Sequence, residues 1–331
     1  MVFSPKKILV VRFSSIGDLV LITPVLRNLK MNFPESELHL LCKRNFSAVL
    51  ENHPDLRKIW TIDRSLFEIN QSLKKERFDW IIDLQNNRRS HLLSRLLKVK
   101  TDRFAKLNLK KWLLTSFKIN TLPETHIVDR YLEPLKQNNL SISKVPLDFF
   151  LSPDEEQSAK EMLKDLTTPY AAIAIGAAHF TKSPPLELWS KILSQLKIKA
   201  VLLGGPKEME NAKILSSKHE ILNLVGVCSI GESAAIIKSS AFVIAPDTGL
   251  MHIAAAFQKP IASIWGNTVP AFGMYPYYGL EEVPQYNAEV DLTCRPCSKI
   301  GHSKCPKGHF NCMNLQNVEE IVKWTEALTS D

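Results

Sequence analysis

The sequence predicts an α/β protein built from two domains, and three observations carry that reading. Short apolar runs of strand length alternate with amphipathic helical segments along most of the chain, the pattern of parallel sheets with crossover helices. Polar or glycine-bearing turns follow those runs: SSIGD at 14–18, QNNRRS at 85–90, GAAHFTK at 176–182, GGPKE at 204–208 and PDTG at 246–249. Finally, 331 residues exceed what one small core organises, and the stretch 143–153, with Pro146 and Pro153, interrupts the alternation as a linker. The expected division is a first domain over 1–145, a second over 153–312 and a last helix over 317–330.

In chain order, the run 7–13 predicts a buried strand. A helix follows with Leu19, Ile22, Leu26 and Leu29 on one face. Pro24 either kinks it or restarts it, with Thr23 as N-cap and Pro24 at the first helical position. Strands are expected at 38–42, 58–62 and 80–84, with helices at 46–50, at 66–77, after the 85–90 turn through Leu92, Leu93, Leu96 and Leu97, and at 126–135. Between them, 98–118 is basic, with Trp112, Leu113, Leu114 and Phe117 interleaved among lysines. That mixture suits a solvated helix with a core stripe, or a surface for an acidic acceptor or an anionic membrane face. In the second half, strands are expected at 171–175, 200–203, 221–224, 242–245 and 261–265. Helices are expected at 155–166, 186–196, 209–217 and 233–239, and another is opened by Asp247 or Thr248 as N-cap. The last helix, 318–328, has Asn317 as its cap, with Glu320 reaching back.

Composition excludes several classes. A hydrophobic content of 45% with 23% charged residues is that of a globular protein. The first residues, MVFSPKKILVVRF, hold no apolar run fit for a signal peptide or membrane span, so a cytoplasmic location is expected. The net charge of +8 favours anionic partners, but no nucleic-acid motif accompanies it, and no nucleic acid is expected. The first turn lacks GxGxxG, which argues against a nicotinamide enzyme. Cys42 and Cys228 stand alone among apolar neighbours, as core thiols do.

Candidate site residues lie where strands end. Asp18 offers a carboxylate at the first turn, as a helix cap or as a base facing a ligand crevice. Ser15 and Gly17 share that turn. Gln85 and Arg88 occupy a second one, where Arg88 or Arg89 meets either an anionic substrate or solvent. In the second half, Gly176, Gly205 and Gly249 allow close backbone approach, and Glu208 closes the second glycine-rich turn. Lys182 supplies a cation for phosphate, and the helix opened at Thr248 supplies free N–H groups and a partial positive charge. This set suits a nucleotide. Asp247 suits sugar hydroxyls, and His252 is a phosphate contact or a packed structural histidine. Cys294, Cys297, Cys305 and Cys312, spaced CxxC-x7-C-x6-C in the loop 294–312, fit either a structural zinc site or reduced thiols in a compact loop.

With those residues in place, the sequence resembles the ADP-heptose:lipopolysaccharide heptosyltransferases, family 9 of the glycosyltransferases. The motifs are ILVVR at 8–12 through SIGD at 15–18, then 79–85, the loop and helix 176–189, GGP at 204–206, and PDTG at 246–249 with His252 and the alanines 254–256. The resemblance covers most of the chain. It implies a GT-B fold, two Rossmann-like doubly wound domains facing across a cleft that holds the active site, with the C-terminal helix packing back on the N-terminal domain. It implies an inverting transfer that needs no cofactor or metal for catalysis, Asp18 as general base, and Lys182 with the Asp247 segment as the holders of a nucleotide-sugar. The acceptor would be an anionic glycolipid of the lipopolysaccharide core, reached by peripheral contact with the inner membrane. The alternatives are a transferase using another nucleotide-sugar, or a non-catalytic two-domain protein that binds nucleotide or glycolipid.

Overall fold

The computed structural model describes residues 4–166 and 168–329. The chain divides into two compact units. One comprises residues 1–106 and 127–150; the other comprises 107–126 and 151–331.

The first unit holds a five-stranded parallel sheet of β1 (Lys7–Val11), β2 (Glu37–Lys43), β3 (Leu56–Ile62), β4 (Trp80–Asp83) and β5 (Lys100–Arg103), in the order β3-β2-β1-β4-β5. β1 is central, and Ile8 to Val11 are wholly buried because both faces of a parallel sheet are covered by helices. β5 was not foreseen. Its sequence, KTDR, lacks an apolar run because it lies on the edge, paired only with β4. The helix after β1 is broken. One helix runs Ile16–Leu21, and Thr23–Asn32 restarts from Ile22 as N-cap, with the Thr23 hydroxyl donating to the Val20 carbonyl at 2.8 Å. Pro24 thus sits in the first turn of a new helix, where its missing N–H costs nothing.

The second unit holds a six-stranded parallel sheet of β6 (Tyr170–Ala174), β7 (Lys199–Leu203), β8 (Ile221–Asn223), β9 (Phe242–Pro246), β10 (Ile261–Ile264) and β11 (Gln285–Ala288). The order is β11-β10-β9-β6-β7-β8. β11, the polar edge strand QYNA, was also not foreseen. Each sheet therefore runs outward from its first strand in both directions, the doubly wound order of nucleotide-binding folds. The switch points fall between β1 and β4 in one unit and between β6 and β9 in the other.

The last helix, Val318–Ala327, buries its apolar face in the core of the second unit. Ile321 is wholly buried with Ile264 and Ala288, and Trp324 stacks on Tyr286 and sets an edge against Phe242. Asn317 accepts the Glu320 N–H, as expected of the cap, but the Glu320 carboxylate accepts from the Tyr286 hydroxyl instead of reaching back.

Candidate active site

The first half-site grows from the carboxyl ends of β1 and β4. Ser15 is the N-cap of Ile16–Leu21, and Asp18 is its third residue. One carboxylate oxygen of Asp18 accepts from the Ser15 N–H and from the Ser15 hydroxyl, each at 3.0 Å. The other stands 2.6 Å from the Arg12 guanidinium and accepts from the Tyr131 hydroxyl at 3.2 Å. Asp18 is thus both a helix cap and half of a largely buried ion pair. Burial pushes its carboxyl up, but the charge and hydrogen bonds of Arg12 outweigh burial and hold it below the usual carboxylate range. Arg12 is itself fixed by donation to the carbonyls of Leu84 at 2.6 Å and Ser14 at 2.9 Å.

The neighbouring turn is occupied with its own geometry. The Gln85 side-chain oxygen accepts the Phe13 N–H at 2.9 Å, tying the end of β4 to the end of β1. Gly17 is buried. Arg88 opens the helix Arg88–Leu97 and is exposed, while Arg89 lies over the Phe13 ring. Of the residues expected here, the structure groups Asp18 and Ser15 directly and sets Gln85 behind them. Arg12 and Tyr131 had been given no role. Arg12 carried a signal, since a buried arginine closing an apolar strand must find an anion.

The second half-site grows from the ends of β6 and β9. Lys182 closes a 3₁₀ turn, Phe180–Lys182, in the loop after β6, and its ammonium lies 2.6 Å from Asp247 at the end of β9. The same Asp247 oxygen accepts from the Thr268 hydroxyl at 2.9 Å. Asp247 is 7% exposed, so both of its partners sit in a half-dry pocket where charge counts for more than it does in water. Thr248 is the N-cap of the helix Gly249–Ala256 by backbone, but its side chain makes no cap hydrogen bond. The first-turn N–H groups are thus left for another acceptor, and Thr248, Gly249 and Leu250 are partly open to solvent. His252 is buried inside the same helix.

The two glycines of the neighbouring turns act differently. A side chain at Gly176 would come within 2.4 Å of Glu208, so this glycine makes room for that carboxylate. Glu208 in turn accepts the Gly205 N–H at 2.9 Å, capping the turn after β7, and Gly205 is exposed.

The cysteine loop adjoins this half-site. Cys294, Cys297, Cys305, Cys312 and His309 line one small cavity of about 20 Å³, and Cys294 Sγ is 3.8 Å from His309 Nε2. Among the described residues no group of three or more His, Cys, Asp or Glu side chains is arranged to hold a metal ion. Arg295, between two of the cysteines, donates to the carbonyls of Gly266 at 2.5 Å and Thr268 at 2.8 Å. The loop therefore braces the segment whose Thr268 holds Asp247.

The family model for glycosyltransferase family 9 (heptosyltransferase) matches residues 66–304. The chain belongs to glycosyltransferase family 9. It is 26% identical to lipopolysaccharide heptosyltransferase 1 of Campylobacter coli, with 98% of this chain and 99% of that one covered. Two solved structures share its fold. The family 9 glycosyltransferase of Veillonella parvula matches with a TM-score of 0.80 at 20% identity, over 99% of this chain and 98% of that one. Escherichia coli heptosyltransferase WaaC, solved with ADP, matches with a TM-score of 0.68 at 20% identity, over 97% and 99%. The family 9 chain is accordingly a glycosyltransferase with the GT-B fold, two Rossmann-like domains, and its strand orders agree with that fold.

Proposed function

We propose that this enzyme is an inverting heptosyltransferase of lipopolysaccharide assembly that takes its sugar from ADP-heptose without a catalytic metal. The observation that carries the reading is the Lys182–Asp247 pair beside an uncapped helix N-terminus at the switch point of the second sheet. A diphosphate placed there takes Lys182 as a mobile cation and the N–H groups of Gly249 and its neighbours as fixed donors. Asp247, released from part of its lysine contact, accepts from sugar hydroxyls. Gly205 and Glu208 border the same sheet edge. His252 supports the helix from within, since it is buried.

Asp18 is the base. As the acceptor hydroxyl oxygen forms its bond to the anomeric carbon, its proton passes to the Asp18 carboxylate. The bond from that carbon to the phosphate oxygen breaks on the opposite face, and the nucleoside diphosphate leaves with the electron pair. Lys182 and the helix N-terminus stabilise the charge it gains. Arg12 keeps Asp18 ionised before the step, and Ser15 and Tyr131 hold its orientation. Ser15, Gly17, Gln85 and Arg88 frame the acceptor, with Arg88 meeting its anionic groups. The enzyme would work in the cytoplasm, at the inner face of the membrane that carries this acceptor.

The cysteine loop adds a structural role. Cys294, Cys297, Cys305 and Cys312 line one cavity as free thiols, and among the described residues no three of these side chains are arranged to hold a metal ion. The structural contact is made by Arg295, which ties the loop to the Thr268 carbonyl at 2.8 Å.

The test is a reaction of the purified enzyme with ADP-heptose and a core acceptor lacking heptose, read by NMR. A product of inverted anomeric configuration, formed faster than with UDP- or GDP-sugars, is expected. Retained configuration, or turnover with another nucleotide alone, would overturn the reading.

A further inference from the structure

The helix Asn108–Phe117 rests on the second domain along one stripe and leaves the opposite face bare. On the packed side Leu114 is buried, and Lys111 lies 5.5 Å from the centre of the Phe272 ring. Past the helix end, Lys118 donates to the carbonyls of Cys294 at 3.2 Å and Pro296 at 2.7 Å. At the other end, the Lys299 ammonium reaches the Asn108 side chain at 3.3 Å. The helix is thus pinned at both ends.

The bare side is apolar. Leu109 is 68% exposed, Trp112 51% and Phe117 57%, and Ile119 just beyond the helix is 53% exposed. Trp112 and Phe117 meet edge to face, 5.1 Å between ring centres. Ile300, next to Lys299, is exposed as well. Single exposed apolar residues are ordinary, but a ridge of large ones, two of them aromatic, marks a contact surface. Lysines flank the ridge, while Glu289 and Asp291 line the pocket behind it with Leu114 and Asn120. Lys110, Lys118 and Lys299 are exposed, and no Asp or Glu occurs between residues 103 and 123.

We propose that this face docks on an anionic phospholipid bilayer, with Leu109, Trp112 and Phe117 entering the boundary of headgroups and acyl chains and the lysines meeting lipid phosphates. The charge complementarity decides for a bilayer. Interfacial helices combine aromatic and leucine side chains on one side with lysines around them, and they bind by apolar burial together with attraction to anionic lipid. The inference rests on the membrane location in the proposed function and names the face that makes the contact; vesicles without glycolipid read it apart from the transfer reaction.

The experiment is flotation of the full chain with vesicles that contain no glycolipid. Binding is expected to vesicles of phosphatidylglycerol mixed with phosphatidylcholine, weaker in high salt and on phosphatidylcholine alone. The double variant L109E/W112E should bind at least tenfold more weakly at an unchanged melting temperature. Trp112→Phe keeps the apolar ridge, so it should bind normally but lose most of the fluorescence quenching that brominated lipids produce in the parent. Absence of binding by the parent would overturn the proposal. So would equal binding by L109E/W112E, undiminished quenching in Trp112→Phe, binding only when glycolipid is added, or lipid-free self-association that L109E/W112E abolishes.

Discussion

Asp18 shows how two readings of one residue can both hold. Its place three residues into a helix makes it a cap for Ser15, and its distance from Arg12 makes it half of an ion pair. All of its strong acceptor positions are taken, so an acceptor hydroxyl must compete with Ser15 or Tyr131 for it. A carboxylate held below its usual range stays ionised but pulls a proton weakly, so on the proposed mechanism it would act late in the transfer. Asp18→Asn should lower kcat by roughly 10²–10⁴-fold, the usual worth of a general base. Arg12 keeps the Leu84 and Ser14 carbonyls in this variant, so the domain should fold, with a lower melting temperature. Near-parental turnover would remove Asp18 from the mechanism. Arg12→Gln tests the tuning. Because the native pKa of Asp18 is depressed, the pair stabilises the fold above the unfolded carboxylate value and loses that effect as pH falls through the lower native one. Without the guanidinium, the largest influence opposing burial is gone, the Ser15 hydrogen bonds remain, and the pKa rises. The acid limb of kcat/KM against pH should then move to higher pH, and an unmoved limb would mean that Asp18 is not the titrating base.

At the scale of elements, what the sequence made legible was periodicity. Central strands such as β1 and β9 announce themselves because both faces are buried and nearly every residue is apolar. The edge strands β5 and β11 do not, because one side has no partner and their polar residues read as turn. The turns at strand ends were legible as places, and their chemistry only in part. Lys182 and Asp247 each stood out, but their pairing is a product of the sheet order that sets β6 beside β9. Gly176 was legible as a small residue but not as the seat of Glu208, since that depends on the rotamer of a residue one helix and one strand further along the chain. The donor cradle predicts its own failure mode. Lys182→Ala removes the cation but leaves the helix N-terminus, so donor binding should weaken by about 1.5–3 kcal/mol, the range for a hydrogen bond to a charged group. The turnover rate should fall as well, because the leaving diphosphate gains charge in the transition state. Titration calorimetry with ADP and with the sugar donor checks this, and parental affinity for both would exclude Lys182 from the site.

At the scale of the molecule, the α/β class followed from alternation and the doubly wound order from the family resemblance, while the assignment of segments to units followed from neither. Residues 107–126 join the second unit although 127–150 return to the first, because Lys118, Lys299 and the Tyr275 carbonyl, bonded to His126, hold that segment in place. The final helix followed its apolar face, led by Ile321 and Trp324, into the core of its own unit. The same bracing ties the cysteine loop to the chemistry without making it part of it. Arg295 links the loop to Thr268, and Thr268 holds Asp247, so a change at the thiols reaches the donor cradle through positions rather than through charge. Chelation separates the two roles. On the proposed mechanism Lys182 and the helix N-terminus supply the positive charge that the departing diphosphate needs, so a brief EDTA treatment should leave kcat unchanged. If a metal sits among the four thiols, longer treatment with a strong chelator should lower the melting temperature and raise KM for the donor, with zinc restoring both, because metal binding there is coupled to folding. Immediate loss of kcat restored by magnesium or manganese would instead assign the diphosphate to a divalent cation and overturn the metal-free step.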